Sequence, residues 1–237
     1  MSDIILKVDS LDAWYGRAQV LFGMGLDVRR GEVVALMGRN GAGKSTTMKA
    51  LMGLLERKRG NVHFMGSDIS RLEPFHIARL GLGFVPENRR IFTDLSVIEN
   101  LEIGRQPPRP GIPEWTFDKL FRLFPNLGEM PDRPGGRMSG GEQQMLTVSR
   151  TLMGNPYLVL LDEPSEGVAP VIVEQMANMI LELKKEGVAI LLSEQNLHFA
   201  ELVSDRAYVL EKGQIRFQGS IDELAGNQEI RKAYLEV

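Results

Sequence analysis

The 237-residue chain is 43% hydrophobic and 25% charged, the make-up of an ordinary globular protein with a substantial core, which argues against intrinsic disorder. A net charge of -3 provides no general attraction for phosphodiester backbones, so nucleic acid is not an expected partner. The absence of cysteine excludes structural disulfides and thiolate metal sites.

The first residues, Met1 to Lys7, lack the basic start and long apolar segment of a secretory signal, so a cytoplasmic location is expected. Ile4 to Val8 reads as a strand and Val20 to Val28 as a weaker one. Arg29 to Glu32 is a turn before the apolar run Val33 to Met37, a buried strand, and Lys44 to Met52 reads as a helix. The cluster Arg57-Lys58-Arg59 precedes a glycine and reads as a solvated turn. Asn61 to Met65 and Leu82 to Val85 are further strands. A stretch rich in Pro, Arg and aromatics follows from Pro86 to about Pro134, with helical patterns at Val97 to Ile103 and Phe117 to Phe124, and reads as an inserted helical lobe. Gly141 to Met153 is helical, Tyr157 to Leu161 is a buried strand, Pro170 to Glu186 is a helix that stops at Gly187, and Val188 to Ser193 is a strand. Val209 to Leu210 and Gln214 to Phe217 flank Gly213 as a hairpin, and Ser220 with Glu223 fits a capping box that opens a C-terminal helix.

This β-α-β alternation implies an α/β fold with a parallel sheet covered by helices, whose ligands bind beyond the carboxyl ends of the strands. No apolar run approaches the roughly 18 residues of a membrane span. The three histidines, His63, His76 and His198, are not at metal-ligand spacing and read as surface or packing residues. Met48, Met52, Met176 and Met179 recur at helical spacing and read as core.

Gly38-Arg39-Asn40-Gly41-Ala42-Gly43-Lys44-Ser45 matches the phosphate-loop pattern G-x-x-x-x-G-K-[ST], with a buried strand before it and a helix after it. The glycines let backbone N–H groups wrap phosphates. Lys44 brings positive charge to the β- and γ-phosphates, the following helix, with Thr46 in its first turn, adds its positive end, and the Ser45 hydroxyl suits Mg²⁺. The chain is therefore expected to bind ATP with Mg²⁺. At the end of the buried strand Tyr157 to Leu161, Asp162 is the expected Mg²⁺ carboxylate and the adjacent Glu163 the expected general base.

Met138-Ser139-Gly140-Gly141-Glu142-Gln143-Gln144 resembles the signature motif of ABC transporter ATPases, with Met138 in place of the common Leu. Ser139 with Glu142 is also an ordinary capping box. The resemblance spans essentially the whole chain. It implies a P-loop NTPase fold with a RecA-like parallel sheet, an N-terminal antiparallel β subdomain and a helical insert. Residues 1–86 and 151–237 would form the nucleotide-binding core with its β subdomain, and residues 87–150 the helical subdomain. It further implies a head-to-tail pairing with a second ATPase subunit, in which Ser139, Gly140 and Gly141 bind the γ-phosphate in trans. Tyr15 would stack on adenine, with Trp14 as the competing aromatic.

Three positions depart from the family pattern. Glu87 stands where most relatives have a metal-reaching Gln, Gln195 where most have a His that contacts the γ-phosphate, and Ala169 where an Asp often makes a dimer contact. An amide donates a hydrogen bond but cannot titrate near neutral pH, so Gln195 would orient groups while Glu163 acts as base. The tracts Pro86 to Phe92, Glu163 to Pro170 and Ser193 to Asn196 resemble the branched-chain amino acid importer ATPases, in particular the shorter of the two that pair in such systems. That resemblance implies permease subunits docked on the helical insert, near Arg89 and Arg90, a solute-binding protein acting through them, and a peripheral position on the inner face of the membrane. Two other readings stand beside it: a soluble ABC protein of DNA repair or translation, which would carry a coiled-coil insertion or a second cassette, and a module that holds ATP without turnover.

Overall fold

The computed structural model describes residues 3–235. Two long strands open it, β1 (Ile4–Tyr15) and β2 (Ala18–Arg29), followed by β3 (Val33–Met37), α1 (Lys44–Leu51), β4 (Arg57–Phe64), β5 (Ser67–Asp68), α2 (Pro74–Arg79) and β6 (Leu82–Val85). A helical stretch follows, with α3 (Val97–Gly104), α4 (Phe117–Leu123), α5 (Pro125–Gly128) and α6 (Gly140–Leu152). The last third alternates β7 (Leu158–Asp162), α7 (Pro170–Lys185), β8 (Ala189–Glu194) and α8 (Leu197–Val203), then adds β9 (Arg206–Glu211), β10 (Gln214–Ser220), α9 (Ile221–Gly226) and α10 (Gln228–Tyr234).

The strands form two sheets. The first is antiparallel in the order β2-β1-β4-β5, and the second runs β10-β9-β3-β8-β7-β6, parallel except for its edge strand β10. The side chains of β3, β7 and β8 alternate between the two covered faces of the sheet, which is why these strands read as continuous apolar runs. Val34, Leu36, Leu158, Leu160 and Leu191 face the antiparallel sheet and α1, whereas Val159, Leu161, Ile190 and Leu192 face α6 and α7. Met48 and Met52 lie in the first core, Met176 and Met179 in the second. Arg206 on β9 ties the sheets together by donating to Glu32 at 2.5 Å and to Asp27 at 2.9 Å, while the Tyr208 hydroxyl donates to Asp27 at 3.0 Å.

Two sequence expectations need correction. Arg57-Lys58-Arg59 is not a turn but the start of β4. Alternation puts Arg57 and Arg59 over the Trp14 ring, at 4.7 and 5.9 Å from its centroid, while Lys58 turns inward and donates to the Ala50 carbonyl at 2.8 Å. The first strand runs to Tyr15 rather than ending at Val8, because an irregularity between Val8 and Leu11, with Ser10 at φ 52°, resets the alternation without ending the pairing. Elsewhere the structure forms the expected elements to within a few residues. It builds both expected capping boxes, Ser139 with Glu142 and Ser220 with Glu223.

Candidate functional site

The carboxyl ends of β3, β6, β7 and β8 point to one edge of the parallel sheet, and the loops leaving them meet there. The loop after β3 is Gly38 to Gly43. A Cβ on Gly38 would lie 2.4 Å from the Leu210 carbonyl oxygen, and Gly43, at φ 113°, has the Leu21 side chain 2.9 Å from where a Cβ would sit. Only glycine fits at either position, so the turn into α1 is fixed by close packing against β2 and β9.

Lys44, 3% exposed, spends its ammonium protons on the loop and on one carboxylate. It donates to the carbonyls of Gly38 at 2.7 Å and Arg39 at 3.2 Å, and pairs with Glu163 Oε1 at 3.0 Å. The cavity around it, about 500 Å³, is lined by Asn40, Gly41, Gly43, Lys44, Ser45 and Thr46, with Val20, Glu87, Glu163 and Glu166 on the other walls. Arg39 is exposed beside it, and Ala42 is buried, its N–H donating to the Arg39 carbonyl at 3.1 Å to close the loop.

Asp162 ends β7 in register with Ser193 of β8. Its Oδ1 accepts from Ser193 Oγ at 2.7 Å and from Ser45 Oγ at 3.0 Å. Burial pushes the Asp162 carboxyl up from its ordinary value, and the charges of Glu163 and Glu87 push the same way, against the two serine hydrogen bonds. A cation beside Asp162 would relieve that penalty. The hydroxyl of Ser45 and the carboxylates of Asp162 and Glu87 are hard oxygen donors of the kind that suit Mg²⁺ completed by water and phosphate.

Glu163 follows directly, with φ 49°, a left-handed conformation that costs a non-glycine residue on the order of 1–3 kcal/mol. Its N–H donates to the Ser193 carbonyl at 3.1 Å, which holds it there. Burial disfavours its charge, but hydrogen bonds with Glu166 and Lys44, and the Lys44 charge, prevail and hold its carboxyl below the usual value. Glu163 is thus held ionised beside Lys44, lining the cavity.

The structure divides the remaining expected residues. Tyr15 is 48% exposed at the end of β1 and lines an adjoining cavity with Lys49, Glu87 and Asp162, whereas Trp14 is occupied by Arg57 and Arg59. Gln195 lies at the rim, its Nε2 donating to Glu166 Oε2 at 3.4 Å. Ser139, Gly140 and Gly141, at the start of α6, are not among the residues lining the Lys44 cavity. Gly140 is instead covered by Arg89, whose Nη1 lies 2.9 Å from where a Cβ would sit, so the segment after β6 touches the start of α6. Arg89 and Arg90 are both left-handed, at φ 59° and 50°, and their carbonyls accept from Thr147 at 2.9 Å and Arg150 at 2.7 Å.

Sequence reasoning missed Val20, Ser193, Glu194 and Glu166. Glu194 is 1% exposed and accepts from Ser165 Oγ at 2.5 Å and from the N–H groups of Gln195 and Asn196 at 3.1 and 3.2 Å, stapling the loop after β7 to the loop after β8. The one available signal was the second acidic residue, Glu166, three positions after Glu163.

The chain resembles known proteins along most of its length. The family model described as ABC transporter matches residues 21–166, more than half of the chain. The high-affinity branched-chain amino acid transport ATP-binding protein BraG of Pseudomonas aeruginosa is 42% identical over 98% of this chain and 99% of its own length. The lipopolysaccharide export system ATP-binding protein LptB of Haemophilus influenzae is 32% identical over 98% of this chain and 97% of its own. A crystal structure of the ADP conformation of an ATP-binding cassette of an ABC transporter superposes with a TM-score of 0.80 at 29% identity, covering 97% of both chains.

Proposed function

The chain belongs to the ABC transporter family of ATPase subunits, and from that premise we propose that it powers an importer of branched-chain amino acids or a related small polar solute. The observation that carries the solute class is the 42% identity, over nearly the full length, to a branched-chain amino acid transport subunit. The export subunit at 32% identity makes the direction of transport the point to test. Uptake of radiolabelled leucine by source cells lacking this chain should fall and be restored by the wild-type gene but not by Glu163→Gln. Uptake equal to that of the parent cells would contradict the reading.

In the proposed cycle the β- and γ-phosphates compete with Gly38, Arg39 and Glu163 for the protons of Lys44. Phosphate oxygens carry the greater charge, so nucleotide binding draws Lys44 away from Glu163 and frees the base. Ser45, Asp162 and Glu87 would hold Mg²⁺ directly or through water, and the bound ion would supply positive charge to the phosphates. Glu163 then takes a proton from the water that attacks the γ-phosphorus, while the bond from that phosphorus to the β,γ-bridging oxygen breaks and ADP leaves. Tyr15 offers its exposed ring to the adenine, and Gln195 orients the loop of the base. Ser139, Gly140 and Gly141 lie outside the lining of the Lys44 cavity, which fits the role the family resemblance implies, on ATP held by a second ATPase subunit.

A groove of about 580 Å³ between α2, β6, α3 and α6 supports permease docking. Leu54, Phe75, Phe92 and Ile103 line it and are 43–54% exposed, unusual for large apolar side chains, with Arg79, Arg90 and Arg150 among them. Asn100, wholly buried, fixes the Phe92 loop by bonding both its N–H and its carbonyl, at 2.9 and 3.0 Å. We assign the groove to a cytoplasmic segment of the permease, which would hold the chain at the inner membrane face. No described helix is long and apolar enough to cross a membrane. Phe92→Asp is expected to weaken permease association by roughly 30-fold in Kd, about 2 kcal/mol, while ATP binding to the isolated chain is unchanged; association at wild-type affinity in a pull-down titration would count against this groove.

A further inference from the structure

Glu194 ends β8 and is 1% exposed, a carboxylate inside the fold that the proposed cycle does not use. Its Oε1 accepts from the Ser165 hydroxyl at 2.5 Å and from the Ser165 N–H at 3.3 Å, on the loop after β7. Its Oε2 accepts from the N–H groups of Gln195 and Asn196, at 3.1 and 3.2 Å, on the loop after β8. All four donors are neutral, and among the described residues no cation pairs with it. Burying a carboxylate without a cation is costly, and an apolar side chain of similar volume would serve stability as well or better. What the carboxylate adds is a fixed relation between the two loops.

That relation reaches the base. Glu163 keeps its left-handed backbone, at φ 49°, only because its surroundings enforce the strain. Its own N–H is tied to the Ser193 carbonyl at 3.1 Å, on one side of Pro164, and Glu194 ties Ser165 on the other. Consecutive residues of β8, Ser193 and Glu194, thus hold both ends of the segment Glu163-Pro164-Ser165. The same carboxylate sets the backbone of Gln195, whose side chain reaches Glu166 at 3.4 Å. It also sets that of Asn196, whose Oδ1 caps α8 by accepting from the Phe199 N–H at 3.2 Å. We infer that Glu194 is a positioning residue for hydrolysis: its buried carboxylate locks the loop of the base to the loop of Gln195, and so fixes Glu163 relative to the attacking water. The inference rests on the assignment of Glu163 as the base.

The test is steady-state Mg-ATP hydrolysis by the full chain, with ATP affinity measured at equilibrium, comparing wild type with E194L, S165A, S165T, the E194L/S165A double variant and E163Q. E194L is expected to lower kcat on the order of 10- to 100-fold with KM and ATP affinity changed less than about threefold, the pattern of a misoriented base rather than lost binding. S165A keeps the backbone N–H bond to Glu194 and should lose less, on the order of 3- to 10-fold in kcat, while S165T restores the hydroxyl and should retain most of it. The double variant should fall no further than E194L, because the two residues act through one contact. Ser165 is only half-buried, so S165A and S165T decide the matter even where E194L does not fold. Wild-type kcat in S165A, an S165T as slow as S165A, or a loss of ATP affinity in E194L as large as its loss of kcat would overturn the inference while E163Q remains inactive. Turnover by E163Q at the wild-type rate would instead overturn the assignment of the base.

Discussion

Replacing Lys44 by alanine is expected to weaken ATP binding on the order of 100-fold, the loss of ~3 kcal/mol that follows from removing charge-assisted hydrogen bonds to phosphate. No other cation lines the cavity among the described residues, so nothing stands ready to replace it. Lys44 is also enclosed by the Gly38 and Arg39 carbonyls and by Glu163, which is itself 8% exposed. The alanine variant leaves that carboxylate buried beside Asp162 without its cation, so its melting temperature should fall as well. Titration with a fluorescent ATP analogue checks the first effect and calorimetry the second. Retained affinity would contradict the placement of the phosphates on the loop from Gly38 to Ser45.

Glu163→Gln is expected to lower hydrolysis by 10²- to 10⁴-fold, on the order of what a positioned general base contributes, while leaving ATP affinity intact. The amide has nearly the shape of the carboxylate and can still accept from Lys44, but it cannot take a proton from water. The left-handed backbone at Glu163 is held by Ser193, and Ser165 is fastened to Glu194, so the substitution should change chemistry without moving the loop. A quench-flow measurement of phosphate release at saturating ATP checks this. Equal rates for the two forms would favour a chain that holds ATP without turning it over.

The parts of this site that the sequence makes legible are those whose constraints are local. The loop from Gly38 to Ser45 needs consecutive residues in one unusual backbone path, so its glycines and its lysine fall at fixed spacing. Val33–Met37 and Leu82–Val85 are short, buried on both sides or nearly so, and bounded by turns, and both were readable to the residue. The capping boxes at Ser139 and Ser220 are four-residue signals. What escaped depends on partners distant in the chain. Arg57 and Arg59 look like a solvated cluster until β1 brings Trp14 beneath them. The helix Leu197–Val203 was hidden because its cap, Asn196, sits in a tract read only for its chemistry. Glu166 carries no pattern of its own, and its place in the site arises from Gln195, 29 residues away. Ser193 becomes visible as a partner of Asp162 only through the parallel register of β7 and β8.

The central claim is that one hydrolytic site is built from two chains, with Lys44 and Glu163 from one and Ser139, Gly140 and Gly141 from the other. Mixing Lys44→Ala with Ser139→Phe tests it most directly, since Ser139 is exposed and its replacement leaves the core intact. Each variant alone should be inactive. In a head-to-tail pair of one chain of each kind, one site carries both lesions and the other carries neither, so random pairing should restore about a quarter of the wild-type ATPase rate. A mixture no more active than the separate variants would contradict the shared site.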